Sequence, residues 1–440
     1  MPVRAGSLRV LVVASRDPGG RQSGRKAVIS TIVRSLLGLG HEVEVAAVGP
    51  APFAPSPWGD AVPVHRLRPP GPAQIAANVA WRASRARLSL NECLFYSRRL
   101  KAEVAALAAR VGADLVVADM IRTYELASST GLPVVLDLDD LLSERYLQTG
   151  KADPDTVVGY FAGYLPGSLR RPAALVASRL LSVEAALLSR REVEAASQAA
   201  VTCLVSAVEA DRLSQRVHRS VQWAPMAAPV GAWPVEGDGA PGVVFVGGMD
   251  YAANREAVGW YRDAVIPELA ALGCGDVVMD VIGHCPDDVA RKLSSERIRF
   301  LGYVPDLASA LRGYRVAVAP VVSGTGIKTK VLEAMGLGLC VVSTPLGVSG
   351  LPAAHGQEVL VGESAAEFAA SVAEAWTNPS RSTEMGERAR SLVEEHFSFR
   401  ASQYRWDRIL QAVEDRVCQP IAAARPEPRI RLAVTLQSGR

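Results

Sequence analysis

At 440 residues, the chain exceeds what one hydrophobic core supports, and at about 100 to 200 residues per domain two domains with an interface between them are expected. Hydrophobic residues make up 49% and aromatic residues only 6%, a balance that suits parallel strands buried beneath helices in an α/β enzyme. A formal charge of +3 is too small over this length for polyanion binding, which rests on many clustered phosphate contacts, so no nucleic-acid partner is expected.

The run LRVLVVA over 8–14 reads as a buried first strand. This short apolar run reaches Arg16 and Asp17 too soon to be the apolar region of a signal peptide. A loop over 15–26 leads to Val28, Ile32, Leu36 and Leu37 at helical spacing, and a turn over 38–41 leads to a second strand, VEVAAVG. Strand, loop, helix, strand with a right-handed crossover is the opening of a doubly wound sheet. Segment 81–104, WRASRARLSLNECLFYSRRLKAEV, mixes arginines with Trp81, Leu88, Leu94, Phe95 and Tyr96. It suits peripheral contact with an anionic membrane and a lipid-linked acceptor, or, more simply, a solvated helix packed by its apolar side. Further strands are predicted at 114–118 (DLVVA), 134–138 (VVLDL) and 200–205 (AVTCLV).

Residues 223–241 are rich in Pro, Gly and Ala without periodicity and read as a linker. A second set of strands is predicted at 243–246, 277–282, 299–301, 316–319 and 339–343, with a helix over 256–272. The six cysteines form no CxxC pair and sit mostly in apolar runs. Buried thiols in a reducing cytoplasm explain them, and no metal site is expected. No uninterrupted apolar stretch is long enough to span a bilayer, so the expected location is cytoplasmic, with membrane contact at most peripheral.

The stretch VAVAPVVSGTGIKTKVLEAMGLGLCVVSTPLGVSGL over 316–351 carries the chemistry. Gly324 and Gly326 let backbone approach a ligand, and the helix that follows offers free N–H groups and a positive dipole end to an anion. Lys328 and Lys330 add charge there, and Glu333, about one turn beyond Lys330, suits a ribose diol. A nucleoside diphosphate has the complementary groups. The plainer alternative is a pair of solvated lysines and a helix-surface glutamate.

The wider string resembles the donor-site signature of retaining family 4 glycosyltransferases, in the subgroup written GTGxKxKVLEAMAxGxPVVST, and is similar to exosortase-system-associated sugar transferases. The resemblance continues in FVGGMDYAANREAVGWYRDAVIP (245–267) and RFLGYVPDLASAL (299–311), and covers the second half closely and the first half loosely. It implies an α/β GT-B fold, two Rossmann-like doubly wound domains facing a cleft. The expected divisions are an acceptor domain at 1–225, a donor domain at 226–398, a helix at 399–418 returning towards the first domain, and a weakly ordered tail at 419–440.

The implied activity is transfer of a sugar from a nucleoside-diphosphate sugar to an acceptor hydroxyl with retention, the leaving diphosphate helping to accept the proton. The nucleotide sugar is the co-substrate, and no metal or other cofactor is implied. A saccharide, a lipid-linked saccharide or a small metabolite would serve as acceptor. By resemblance, Glu333 binds the donor ribose, the backbone of Gly324, Thr325, Gly326 and Ile327 lies beside the sugar and diphosphate, and Gly302, Tyr303 and Val304 border the base. Gly247 and Gly248 end a strand against the diphosphate, with Asn254 near a helix start.

Two departures stand out. Thr325 occupies the place of a second glutamate, and Gly248 and Ala253 occupy those of an arginine and a lysine that many members carry. Lys328 and Lys330 are expected to take over the phosphate charge. In the first half, the loop SRDPGGRQSGRK resembles the glycine loop that faces the cleft, through Gly19, Gly20 and Gly24. Asp119 and Arg122, then Asp137, Asp139 and Asp140, stand at strand ends where α/β crevices collect ligands. The catalytic candidates are therefore Lys328, Lys330, Glu333, Asp119 and Asp139, with Arg122 on the acceptor side and His284 in a structural place at a strand end. An epimerase or phosphorylase on the same scaffold and a silent donor-binding partner subunit are the alternatives.

Overall fold

The computed structural model describes residues 6–19, 24–49, 54–83, 85, 87–149, 167–231, 242–324 and 326–418. Gly20, Thr325, most of the expected linker and the tail at 419–440 lie outside them.

Two parallel sheets organise the chain. The first runs β3 (Val64–Leu67), β2 (Glu42–Val48), β1 (Arg9–Ala14), β4 (Leu115–Asp119), β5 (Val134–Asp137), β6 (Val201–Leu204) and β7 (Gln222–Trp223). The second runs β10 (Ile298–Gly302), β9 (Val278–Ile282), β8 (Gly242–Val246), β11 (Val316–Ala319), β12 (Cys340–Ser343) and β13 (Leu360–Val361). Each order reverses direction once, between β1 and β4 and between β8 and β11, and such switch points open a crevice at the carboxyl ends of the strands. Central strands are apolar on both faces because helices cover both: all five residues of β4 and all four of β11 and β12 are buried. In register, Val12 lies opposite both Val45 and Val117.

The predicted strands are present. Sequence patterning misses only β3, β7 and β13, which are short edge strands of two to four residues. The expected helix over 256–272 is instead α-helix Ala252–Trp260, a π-turn Tyr261–Val265 and α-helix Ile266–Ala271. Pro267 lacks an N–H for the helical ladder, and a widened turn ahead of it absorbs the loss.

Segment 81–104 is not one amphipathic helix. It passes through a π-turn (Val79–Ala83), a short helix (Leu90–Cys93) and the start of a longer one (Arg98–Val111). Leu88, Leu100 and Val104 are buried, while Trp81 and Leu94 remain exposed. Among the described residues, no helix is long and apolar enough to cross a membrane.

The helices that frame the site are α1 (Gly24–Gly38), α2 (Leu142–Thr149), α3 (Ala207–Val217), α4 (Ala252–Trp260), α5 (Thr329–Gly336) and α6 (Phe399–Cys418). Helix α6 packs on α1: Trp406, Ile409 and Leu410 join Val28, Ile29, Ile32 and Leu36 in one core. Ser35 and Ser402 hydroxyls meet at 2.8 Å, and the Arg34 guanidinium lies 3.8 Å from the centre of the Phe399 ring. Each such buried large apolar side chain contributes about 1.5–3 kcal/mol, so α6 is tied firmly to α1.

Candidate active site

In the second domain, the loop after β11 turns through Gly324 (φ 96°) and Gly326 (φ 74°) before α5 begins. Both angles are left-handed, which a side chain tolerates poorly. Lys328 is the residue before α5, and its ammonium donates to the carbonyls of Gly324 (3.2 Å) and Gly326 (2.7 Å). Lys330 reaches the other way, donating to Asn254 Oδ1 at 2.5 Å and lying 4.2 Å from the centre of the Phe245 ring. Asn254 in turn donates to the Gly248 carbonyl at 2.8 Å. The lysines therefore brace the glycine loop against the start of α4, and bring the helix ends of α4 and α5 to one place.

Burial controls the charges here. It pushes the Lys330 ammonium down to about 7, with Lys328 nearby acting the same way. Burial and then Arg145 lower Lys328 to about 8. Glu333 is pushed up to about 7 by burial, against the pull of Lys330, and no hydrogen bond holds its carboxylate among the described residues. Burial thus brings all three groups towards neutrality.

Gly247 and Gly248 follow β8. A Cβ on Gly247 would stand 2.7 Å from Asn254 Nδ2, so that glycine is required by Asn254. His284 lies on the rim, 2.9 Å from Asp250 with both half exposed. Gly302 ends β10 at φ 78° and accepts from Gly283 N at 2.8 Å, with Tyr303 69% exposed beside it. Sequence reading missed Tyr251: it is exposed, and a Cβ on Gly324 would lie 3.2 Å from its hydroxyl. It also missed Glu256, whose carboxylate accepts from Ser323 Oγ.

In the first domain, Gly24 opens α1 opposite the start of α5, a Cβ there lying 4.0 Å from Thr329 Cγ2. The ends of α1 and α5 therefore face one another across the cleft. Gly19 is packed against Pro55 with no room for a Cβ.

Asp119 was expected to face an acceptor, but its carboxylate is 1% exposed and holds Arg25, from the first turn of α1, and the Ser15 N–H at 2.6 Å. Arg25 also meets Asp137 at 2.8 Å and Asp139 at 3.2 Å. Buried charges need partners, and a partner 94 residues away is invisible to a local motif. Burial raises Asp119, but Arg25 and the Ser15 donors outweigh it and hold the carboxyl below its usual range. Burial leaves Asp137 at about 6. Asp139, at φ 69°, keeps 17% side-chain exposure. Arg122 is half-buried, 5.6 Å from the centre of the Phe95 ring, and its Nε is buried without a partner.

Between the domains lies a cavity of about 200 Å³. Gly324, Gly326, Ile327, Lys328 and the loop through Leu346, Ser349 and Gly350 line one side. Asp140, Glu144, Arg145, Glu209 and Arg212 line the other. Arg145 donates to Asp140 Oδ2 at 2.5 Å, and Arg212 pairs with Glu144 at 2.6 Å. Asp140 Oδ1 is buried with no partner. Burial pushes Asp140 to about 6 and Glu209 to about 7. Of these five side chains sequence reading singled out only Asp140, because the others carry no motif and lie on α2 and α3, which the Glu144–Arg212 pair links across the chain.

Glycine-loop backbone, two lysines and opposed helix ends at the carboxyl edges of two parallel sheets present groups complementary to a phosphorylated ligand. Residues 240–378 match the family described as Glycosyl transferases group 1. The matched region contains β8 to β13 with α4 and α5. A protein of Klebsiella pneumoniae described as an uncharacterized 44.6 kDa protein in the cps region is 24% identical over 164 residues, 35% of this chain and 42% of that relative. The match therefore spans less than half of that relative's length.

Solved structures similar along nearly the whole chain include sucrose-phosphate synthase from Thermosynechococcus elongatus (TM-score 0.63, 14% identity, covering 93% of this chain and 99% of that one). Anabaena Alr3699/HepE in complex with UDP and glucose is another (TM-score 0.58, 13% identity, covering 92% and 99%). These likenesses establish the fold: two Rossmann-like domains in the GT-B arrangement.

Proposed function

We propose that the chain is a family 4 glycosyltransferase that moves a sugar from a nucleoside-diphosphate sugar to an acceptor hydroxyl with retention of configuration. The observation that carries this reading is the meeting of Lys328, Lys330 and the start of α5 with the start of α1 across the cleft. The diphosphate lies there, Glu333 takes the ribose diol, and Gly302, Tyr303 and Val304 border the base. Lys328 and Lys330 supply the phosphate charge that Gly248 and Ala253 do not. The UDP complex of the Anabaena relative makes uridine the first base to test.

In the reaction, the acceptor oxygen bonds to the anomeric carbon on the face the diphosphate leaves. The bond from that carbon to the diphosphate oxygen breaks, and the diphosphate departs with the electron pair and takes up the acceptor proton. The protein stabilises the leaving group and positions both partners. A saccharide, free or lipid-linked, or a small metabolite is the acceptor.

The test is a thermal-shift screen of UDP, GDP, TDP and their sugars, since a ligand of the folded state raises its stability. At least one nucleotide and its sugar conjugate should raise the midpoint. If none shifts it, the donor-site reading is wrong.

A further inference from the structure

The interdomain cavity carries a statement about the sugar itself. It rests on the donor-site reading above, because a diphosphate held at Lys328 fixes where the sugar must go. The anomeric carbon is bonded to the terminal phosphate, so the ring lies in the space that adjoins Lys328, and that space is this cavity of about 200 Å³. Its second wall comes from the amino-terminal domain and consists of carboxylates and guanidiniums.

Two of those cations are already matched: Arg145 holds Asp140, and Arg212 holds Glu144. Asp140 nonetheless keeps one buried oxygen without a hydrogen-bond partner. A buried acceptor without a donor is costly, and the group that removes the penalty is a donor brought in by a ligand. Sugar hydroxyls are such donors, and each also accepts from a neighbouring guanidinium N–H.

Charge narrows the choice of sugar. The cavity wall counts Asp140, Glu144 and Glu209 against Arg145, Arg212 and Lys328, and Lys328 is committed to the diphosphate. A sugar carboxylate would be a further anion beside three carboxylates, with both arginines already paired.

We propose that this cavity is the subsite of the transferred sugar, that the sugar is a neutral, hydroxyl-bearing monosaccharide, and that Asp140 and Glu209 select it by accepting hydrogen bonds from its hydroxyls. Recognition of the donated sugar is thereby placed on the amino-terminal domain, opposite the one that binds the nucleotide.

Isothermal titration separates this inference from the reading it rests on. Wild type, Glu209→Gln and Asp140→Asn are titrated with UDP, UDP-glucose and UDP-glucuronate, or with GDP, GDP-mannose and GDP-mannuronate if guanosine is the base bound. The nucleoside diphosphate should bind all three proteins alike, which also reports an intact fold. The neutral nucleotide sugar should bind each variant roughly 3- to 10-fold more weakly, because the amide keeps an acceptor oxygen but loses the charge that strengthens its hydrogen bond. Wild type should prefer the neutral sugar to its carboxylated counterpart. Unchanged affinity of Glu209→Gln for the neutral nucleotide sugar, or a preference for the acidic one, overturns the subsite. Absence of nucleoside-diphosphate binding by wild type overturns the donor reading as well. Should Asp140→Asn release Arg145 and lose the nucleotide too, Glu209→Gln decides alone.

Discussion

Affinity for a nucleotide sugar should pass through a maximum near pH 7, and the two limbs should belong to named residues. Lys330 must be charged to favour a diphosphate, and burial has lowered it to about 7. Between pH 7 and pH 9 its protonated fraction falls from about one half to about one hundredth, so binding weakens about fifty-fold on this account alone. Lys328, lowered to about 8, adds about another tenfold over the same interval. On the acid side, Glu333 accepts from both ribose hydroxyls most strongly as a carboxylate, and it sits at about 7. Its ionised fraction at pH 5 is about one hundredth, which gives a second fall of up to about fifty-fold.

The assay is isothermal titration from pH 5 to pH 9 at constant ionic strength. A nucleotide sugar is the right ligand because its diphosphate, esterified at both ends, keeps its charge throughout. Lys330→Arg should reduce the alkaline limb to the roughly tenfold fall of Lys328, and Glu333→Gln should flatten the acid one. A profile flat across this range in wild type would refute the placement of these charges in the donor site, as would limbs that both substitutions leave untouched.

Other consequences follow from the same contacts. Lys328→Ala and Lys330→Ala should each weaken the nucleoside diphosphate by roughly 10- to 100-fold in titration, and an unchanged dissociation constant in both would remove the lysines from phosphate recognition. Arg25→Ala leaves Asp119 and Asp137 buried without their cation and should lower unfolding free energy by about 3–5 kcal/mol in urea titration; a loss below about 1 kcal/mol would show that water reaches the cluster. Trp406→Ala removes the largest buried side chain of α6 and should lower stability by about 3–5 kcal/mol, read as a shifted urea midpoint with unchanged slope. A small effect would mean that α6 is not integral to the first domain.

What could be read from the amino-acid order follows physical lines. The central strands β1, β4, β8 and β11 were legible because sheets covered on both faces need unbroken apolar runs. Three of the four edge strands were not, since β3 is VHRL and β7 and β13 are two residues each, too polar or too short to show a pattern. In the site, Lys328, Lys330 and Glu333 stood out because one loop and one helix turn bring them together. Asp119 and Asp139 also stood out, as acids at strand ends, yet their close partner is Arg25 on α1. The cavity wall opposite the lysines joins α2 and α3 across more than sixty positions, as in the Glu144–Arg212 pair. Local spacing says nothing of which side chains such elements bring face to face.

The most direct test of the central claim is proton NMR of the protein incubated with the nucleotide sugar it binds, following the anomeric signal as the donor is consumed. Slow release of free sugar that first appears in the donor's own anomeric configuration, before mutarotation, is the predicted result. Tight binding with no turnover, or a first product of opposite configuration, would contradict it.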